Sequence, residues 1–307
     1  MKSLLLIAFL TLGFIPFLKA QNINPNKEHI YYTVQDALQE QKEKVHLNLR
    51  DQFLFKLPDS IEKLNNVVFL NGMKNNFEYW DNRLFQLKHL EVLNLKNNKL
   101  KYIPHNIASL DQLKSLDLAG NSINQIDPAI HKLKSLNRLY LSSNELSYLP
   151  NEITSCTSLK VLELQHNHLS YLPRSIYNLR NLQVLDLSHN QFHDVEPSYF
   201  NLPSLEILKL DNNKLINLPE SIELLTSLKQ LNLENNLLKS LPDNISKLYK
   251  LETLIVSNNH LSSFPKDLSG LKHLRTLIIT KNPVSASELE RITQALPDCK
   301  IYMDTVD

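Results

Sequence analysis

The side chains with the greatest capacity for chemistry in this chain are histidines and carboxylates that recur at one spacing. His166 and His189 are 23 residues apart, and Asp117, Glu163 and Asp186 are separated by multiples of the same interval. Imidazole pairs bind zinc, and carboxylates bind calcium. No third zinc ligand is fixed by the spacing, so we expect exposed turn histidines and solvated or partner-contacting acids, with no metal and no cofactor.

Motifs that would mark a catalytic centre are absent from the sequence. It has no Gly-rich phosphate loop, no Gly-x-Ser-x-Gly elbow, no Cys-x-x-Cys and no His-Glu-x-x-His. Its formal net charge of +1 gives no reason to expect the basic face that nucleic-acid binding usually requires. The sequence therefore predicts a protein that is not an enzyme and does not bind nucleic acid.

The 23-residue interval extends over nearly the whole chain. The copy that begins at Leu90 has apolar residues at its positions 1, 4, 6 and 11 and an asparagine at position 9. Eleven copies begin every 23 residues from Lys44, a degraded first copy, to Leu274, and together they cover 44–296. Such an array predicts one continuous solenoid with a single core rather than two separate domains.

Alternation within each repeat predicts a short strand with one buried side. In the repeat that begins at Leu136, we expect Leu139 and Leu141 to face the core and Arg138 and Tyr140 to face outward. The asparagine that follows lies where the chain turns away, and its amide is able to donate to and accept from neighbouring backbone groups. We predict a structural asparagine ladder made of Asn75, Asn98, Asn121, Asn144, Asn167, Asn190, Asn213, Asn236, Asn259 and Asn282.

The second half of a repeat carries the pattern Leu-Pro-x-x-Ile, as in Leu149 to Ile153. The fixed φ of proline suits the first position of a short helical turn. Stacked units of strand and turn predict an α/β solenoid that is curved, with a parallel β-sheet on its concave face and short helical or 3-10 turns on its convex side.

The outward strand positions are the best candidates for a binding site. Four neighbouring repeats place apolar, aromatic and charged side chains on one patch, a mixture found in binding hot spots. The alternative is that valine and isoleucine simply favour strands, while the charges keep the surface wet. We name these positions the strand patch; the predicted partner-binding residues are Arg138, Tyr140, Val161, Glu163, Val184, Asp186, Ile207 and Lys209.

One repeat departs from the pattern. Gly72 occupies a leucine position, and Trp80-Asp81 replaces the usual Leu-Pro. Glycine in a core position would leave a void. We predict that Phe77 and Trp80 fill it.

The ends of the array need covering, because a terminal repeat exposes its core. Thr33 resembles an N-cap before a helix that runs to about Glu40, and Ser285 or Ser287 precedes a second helix. The predicted organisation is a signal peptide at 1–20, a leader and capping helix at 21–43 with 21–32 flexible, repeats at 44–296, and a cap strand with a tail at 297–307.

Residues 1–20 have the layout of a secretory signal peptide. Lys2 precedes an apolar run from Leu4 to Ile15, and Ala20 ends the segment. The run has about 15 residues, whereas a membrane span needs about 20. We expect cleavage after Ala20 and no membrane span in the rest of the chain. The mature protein would then be secreted, periplasmic or attached to the cell surface. The alternative is that residues 1–20 are retained as a membrane anchor.

The two cysteines are not expected to form a disulfide. Cys156 replaces a repeat leucine and should be a buried apolar residue. Cys299 follows the last repeat, more than five repeats further along. At about 4.8 Å per stacked strand, this separation far exceeds the roughly 7 Å limit for a disulfide.

With these features the chain resembles the leucine-rich repeat proteins over residues 44–296. The 23-residue length and the Leu-Pro-x-x-Ile pattern resemble short-repeat members found in bacteria and in the plant intracellular Ras-group family. The segments that begin at Tyr32 and at Leu296 are similar to those of exported bacterial members. Secreted animal and plant members usually have cysteine-stapled caps, which are missing here, so the resemblance favours a bacterial source.

The resemblance implies a non-enzymatic module that binds a protein partner through its concave sheet face. We expect an exported monomer whose partner is not identified by any motif. Two alternatives remain open at this point, an intracellular leucine-rich repeat signalling scaffold and an effector with metal-dependent activity.

Overall fold

A parallel sheet runs through the computed structural model, which describes residues 28–40 and 42–304. The predicted signal peptide lies outside these residues. Within them, the sheet has thirteen strands, and a smaller parallel sheet pairs two strands of the return segments. The strands of the large sheet are β1 (Ile30–Tyr31), β2 (Val45–Asn48), β3 (Val67–Asn71), β4 (Val92–Asn94), β6 (Ser115–Asp117), β8 (Arg138–Tyr140), β9 (Val161–Glu163), β10 (Val184–Asp186), β11 (Ile207–Lys209), β12 (Gln230–Asn232), β13 (Thr253–Ile255), β14 (Thr276–Ile278) and β15 (Lys300–Tyr302); the small sheet pairs β5 (Tyr102–Ile103) with β7 (Gln125–Ile126).

The strand register follows the sequence period. Val184 pairs with Ile207, and Leu185 pairs with Leu208, so each strand is displaced by one 23-residue repeat from the next. The inward residues of the strands are leucines that are fully buried, such as Leu139 and Leu162. The predicted α/β solenoid with stacked parallel strands is confirmed.

The return segments form short 3-10 helices. Within the described residues they are Asp59–Lys63, Asn82–Gln86, His105–Ser109, Pro128–Lys132, Asn151–Ser155, Arg174–Asn178, Pro197–Phe200, Glu220–Leu224 and Asp243–Lys247. The sequence predicts proline at the first position of each helical turn. Most of the repeat prolines instead lie one residue before the helix. Pro150, for example, is extended, and its carbonyl accepts a hydrogen bond from the Ile153 amide at 3.1 Å. Among the prolines of the described ranges, only Pro128 and Pro197 begin a helix, each after an acidic residue.

The asparagine ladder connects neighbouring repeats by hydrogen bonds. Asn144 donates through Nδ2 to the carbonyls of Leu118 and Leu141, both at 3.0 Å, and its Oδ1 accepts from the Ile123 amide at 2.9 Å. The other nine asparagines named above have equivalent donors and acceptors; for instance, Asn282 donates to Val256 and accepts from Leu261. The ladder therefore holds each turn to the preceding repeat.

A second regular column consists of the residues directly before the ladder asparagines. All ten are left-handed, with φ between 52° and 66°. They are Lys74, Asn97, Gly120, Ser143, His166, His189, Asn212, Asn235, Asn258 and Lys281. Four are asparagine and one is glycine, the residues that adopt this conformation at least cost. This bend takes the chain from the sheet into its return segment.

The N-terminal end of the sheet is covered by the expected helix and, in addition, by a short strand. The helix α1 spans Val34–Glu40, and Thr33 Oγ1 accepts from the Asp36 amide at 3.1 Å. Ile30–Tyr31, which we expected to be flexible, instead pairs with β2. Tyr31 is buried, and its hydroxyl donates to Glu40 Oε2 at 2.9 Å. Burial of this aromatic side chain explains why the leader prediction was wrong for these two residues.

The C-terminal end is closed by a helix and the last strand. Helix α2 spans Ala286–Ala295, with Ser285 as its N-cap, and buries Ile292 against the repeats. Strand β15 then pairs with β14, with Thr276 opposite Lys300, a displacement that departs from the repeat period. Neither helix, nor any other helical segment within 28–40 and 42–304, has the length and hydropathy needed to cross a bilayer.

The irregular repeat is repacked mainly by one aromatic residue. A Cβ on Gly72 would lie 3.0 Å from both Phe77 Cε2 and Leu95 Cδ2. Phe77 thus fills the space, as predicted. Trp80 does not share this role, because its ring stacks on Phe85 at 5.9 Å and its Nε1 donates to the Tyr102 carbonyl at 2.5 Å. The indole therefore packs further along the return segment.

Both cysteines are free thiols. Cys156 is fully buried, as expected, and its Sγ lies 3.2 Å from the Ile130 carbonyl. Burial raises the pKa of the Cys156 thiol to about 11. The thiol is thus an apolar core group rather than a nucleophile.

Candidate functional site

The strand patch is assembled by the register of β8 to β11. Arg138, Val161, Val184 and Ile207 follow one another across the sheet in one column. Tyr140, Glu163, Asp186 and Lys209 form the neighbouring column on the same face. The structure therefore brings all eight predicted residues onto one surface.

The apolar members of the patch pack on each other. Tyr140, Val161 and Val184 are less than one-tenth exposed and contact Ile207 in a cluster separate from the main core. Adjacent parallel strands lie about 4.8 Å apart, which brings bulky side chains of one column into contact. The cluster is a low apolar ridge along the sheet face, and less of it is exposed than outward alternation alone would suggest.

Three of the charged members lie together, as an ion pair with a second acid beside it. Lys209 Nζ lies 3.1 Å from Asp186 Oδ2. Desolvation disfavours the ammonium, but Asp186 outweighs it, so the pKa of Lys209 is raised. Burial, followed by repulsion from Asp186, raises the pKa of the Glu163 carboxyl. The patch thus contains acids that one lysine only partly neutralises.

A cavity of about 500 Å³ lies over the same face and is displaced toward the C-terminal end. It shares Asp186, Ile207 and Lys209 with the strand patch and continues across β12 to β15. Because residues of six successive strands line it, the sheet is concave here. We call it the concave cavity.

Two acids on the wall of the concave cavity are half-buried. Asp211 accepts from the amides of Asn212 at 2.8 Å and Asn232 at 3.0 Å. Burial is the largest cause of the raised pKa of Asp211, and burial with repulsion from Asp211 raises the pKa of Glu234. These two residues are 23 apart, and the repeat spacing could have identified them.

The floor of the cavity beyond these acids is apolar. Ile255 and Ile278 are paired in register and mostly buried, and Tyr302 of the closing strand lies opposite Ile278. Tyr302 could not be placed from the repeat pattern, since it lies outside the array. The cavity consequently combines an acidic wall with an apolar floor.

His166 and His189 stack at the edge of this cavity. Their ring centroids are 4.0 Å apart, with planes inclined by 17°, close to the spacing expected from adjacent repeats. Among the described residues, no group of three or more histidine, cysteine, aspartate or glutamate side chains is placed to hold a metal ion. The geometry supplies a flat imidazole surface rather than a ligand set.

Models of repeat families match most of the chain. The model described as "Leucine-rich repeat region" matches residues 66–168, "Leucine rich repeat" matches 180–238 and 226–284, and "Leucine Rich repeats (2 copies)" matches 157–201. No curated protein matches the chain.

Solved structures of leucine-rich repeat proteins are similar to the chain. The ectodomain of the plant membrane receptor kinase GASSHO1/SCHENGEN3 from Arabidopsis thaliana, solved with CASPARIAN STRIP INTEGRITY FACTOR 2, is 27% identical with a TM-score of 0.69; the match covers 90% of this chain and 37% of the ectodomain. An internalin from Listeria monocytogenes is 20% identical with a TM-score of 0.63, over 86% of this chain and 78% of its own. A leucine-rich repeat protein from Leptospira interrogans is 26% identical over 89% of this chain and 99% of its own, with a TM-score of 0.40.

Proposed function

The chain is a leucine-rich repeat solenoid, and from this premise we propose that it is a non-enzymatic module that binds a protein partner through its concave sheet face. The observation that carries the proposal is the continuity of the strand patch with the concave cavity. Together they form one surface that joins an aromatic ring, aliphatic side chains and charges, the composition of protein-binding hot spots. The Arabidopsis ectodomain, solved in complex with a partner, lends support from a chain of the same fold.

The concave face has the features of a binding surface because its residues are fixed before a partner arrives. Strand backbones hold Tyr140 and Arg138, and the cluster around Val161 limits the rotation of the tyrosine ring. A preorganised surface loses less conformational entropy on association. Rigid aromatic anchors of this kind often dominate the free energy of binding.

We also propose that the protein is exported as a monomer after cleavage behind Ala20 and that it belongs to the bacterial short-repeat type. The support comes from the sequence, namely the charged and apolar segments of residues 1–20 and the Leu-Pro-x-x-Ile returns. N-terminal sequencing of the protein from fractionated cells tests the cleavage. A first residue of Gln21 in the exported fraction is expected, whereas an intact N-terminus in the cytosol would favour an intracellular scaffold.

The binding face is tested by capture of partners from source-cell extracts and culture medium with residues 21–307. Arg138→Glu and Tyr140→Ala should each abolish or strongly reduce capture of a specific partner. Arg180→Glu and Tyr177→Ala make the same changes at exposed positions of the return side and serve as matched controls. A partner that is lost with the controls but retained by the strand-patch variants would place binding on the convex side.

A further inference from the structure

We propose that the concave cavity receives an extended segment of a protein partner that carries a lysine or arginine side chain and, about three residues away, an apolar side chain. This inference rests on the proposed function, since it takes the concave face as the binding face. It adds the chemistry of the segment and its position, which is the C-terminal half of the sheet.

Charge complementarity identifies the basic side chain. Among the described residues, the Asp211 carboxylate receives hydrogen bonds from neutral groups, namely the side-chain amides of Asn212 and Asn232 and its own backbone amide, and no cation there lies within ion-pair distance of it. The Glu234 carboxylate has neither a hydrogen bond nor an ion pair within the described chain, although Lys281 attracts it from beyond ion-pair distance. The nearby ammonium of Lys209 is held by Asp186. The wall therefore presents negative charge that a cation from outside would neutralise.

The apolar side chain is identified by the floor beside that wall. Ile255 and Ile278, which are 8% and 7% exposed, present only the outer edges of their side chains to the cavity, side by side in the next two repeats, and the more exposed Tyr302 extends this surface. An apolar group that covers such a surface removes it from water, which favours binding. A free metal ion or a polyamine would neutralise the acids of the wall but would not place an apolar side chain against the part of the floor that remains exposed.

Strand spacing sets the distance between the two side chains. The middle of the pair Asp211 and Glu234 is two strands away from the middle of the pair Ile255 and Ile278. Two intervals of about 4.8 Å give roughly 10 Å across the sheet, and the acids lie two positions further along the chain than the column of the isoleucines. The separation is then about 12 Å, which an extended chain covers in a little over three residues. A segment that runs across the strands therefore matches both features at once.

Selection of short random peptides on the full chain tests the inference. We expect enrichment of sequences with lysine or arginine about three residues from an aliphatic or aromatic residue. In a selected peptide, replacement of the basic residue by norleucine should weaken binding about tenfold or more, as expected for a charge-assisted hydrogen bond. Binding should also weaken as salt is added.

The double variant Asp211→Asn/Glu234→Gln should cause a similar tenfold loss, because it keeps the shapes and removes the charges. Glu62→Gln/Asp111→Asn is the matched control at exposed positions of the return side, and we expect it to bind as the wild type does. Urea unfolding of both double variants shows whether each is folded.

Three results would overturn the inference. Enriched peptides could lack a basic residue, selected peptides could bind the Asp211→Asn/Glu234→Gln variant as tightly as the wild type, or spermidine could displace them while the apolar residue proves dispensable. Each of these results leaves the proposed function intact if Arg138→Glu or Tyr140→Ala still abolishes capture of the protein partner. Peptide and partner binding that is insensitive to every concave change would contradict the proposed function itself.

Discussion

Lys209 Nζ lies 3.1 Å from Asp186 Oδ2 on the neighbouring strand, and Asp186 is 6% exposed as a side chain. Without the ammonium, the carboxylate would keep, within the part of the chain that the structure describes, only the hydrogen bonds from the amide and hydroxyl of Ser188. We predict that Lys209→Met lowers the free energy of unfolding by about 1–2 kcal/mol, less than for a fully buried pair because the lysine is partly exposed.

Urea denaturation measures this change. Lys229→Met is the matched control, because Lys229 pairs at 2.9 Å with Glu206, a more exposed acid. Lys229→Met should lower the free energy of unfolding by less than about 0.5 kcal/mol. Equal losses for the two variants would show that burial of Asp186 does not strengthen the first pair.

The raised pKa of Glu163 predicts a pH-dependent cost of ionisation. Burial and then Asp186 disfavour its carboxylate, so the folded chain holds the proton more tightly than the unfolded chain does. The free energy of unfolding contributed by this group is therefore highest below its unfolded pKa, about 4.3, and declines as the pH rises through the folded pKa. At pH 7, Glu163→Gln should be more stable than the wild type by roughly 1 kcal/mol or less.

That advantage should disappear as the pH falls below about 4, where the wild-type carboxyl is protonated as well. Urea unfolding across this pH range makes the comparison, with exposed Glu145→Gln as the control. A Glu163→Gln variant that is less stable at pH 7 would mean that the carboxylate stabilises the fold. In that case Glu163 would not lower the free energy of unfolding, and binding at the concave face would have no such loss to offset.

The asparagine ladder should contribute a large share of stability at each repeat. Asn144→Ala leaves the buried amide of Ile123 without its partner. It also removes one of the two side-chain hydrogen bonds accepted by each of the Leu118 and Leu141 carbonyls, which keep those from Asn121 and Asn167. The unpaired buried amide costs about 1–3 kcal/mol and each lost hydrogen bond about 0.5–1.5 kcal/mol, so we predict that the free energy of unfolding falls by at least about 2 kcal/mol. Chemical denaturation of Asn124→Ala, at an exposed position in the same region, provides the control and should be nearly neutral. An unchanged free energy of unfolding in Asn144→Ala would show that water replaces the side-chain amide as a hydrogen-bond partner.

Periodicity explains how much of this molecule the sequence could predict. The register of the strands and the positions of the ladder asparagines depend on contacts that repeat every 23 residues, so one repeat such as that of Leu136 predicts the others. The eight residues of the strand patch followed from the same rule. Side-chain alternation also predicted correctly which way they face.

Features that depend on several repeats at once could not be predicted in this way. The concave cavity arises from the curvature of the sheet and from Tyr302 on a strand that breaks the period. The left-handed column includes Lys74 and Ser143, whose types do not indicate a positive φ. Proline was assigned to the wrong helical position because its own carbonyl, as at Pro150, completes the first turn.

Phe53 offers a test of the left-handed bends in the first repeat. It has a φ of 57° and is 76% exposed, so a bulky aromatic adopts a strained conformation without packing that compensates. Phe53→Asn should raise the free energy of unfolding by about 1 kcal/mol, since asparagine tolerates this conformation better. Phe55→Asn is the matched control, because Phe55 is 70% exposed and its φ is not positive. Thermal unfolding that shifts equally for both variants would assign the gain to the lost apolar surface.

The measurement that tests the central claim most directly is the affinity of a captured protein partner, or of a selected peptide, for matched variants of the two faces. We predict that Tyr140→Ala and Arg138→Glu weaken binding at least about tenfold, while Tyr177→Ala and Arg180→Glu leave it within about twofold of the wild type. Calorimetric titration with each folded variant gives these values. Equal affinities for all four variants, or a loss confined to Tyr177→Ala and Arg180→Glu, would contradict the assignment of the concave face as the binding surface.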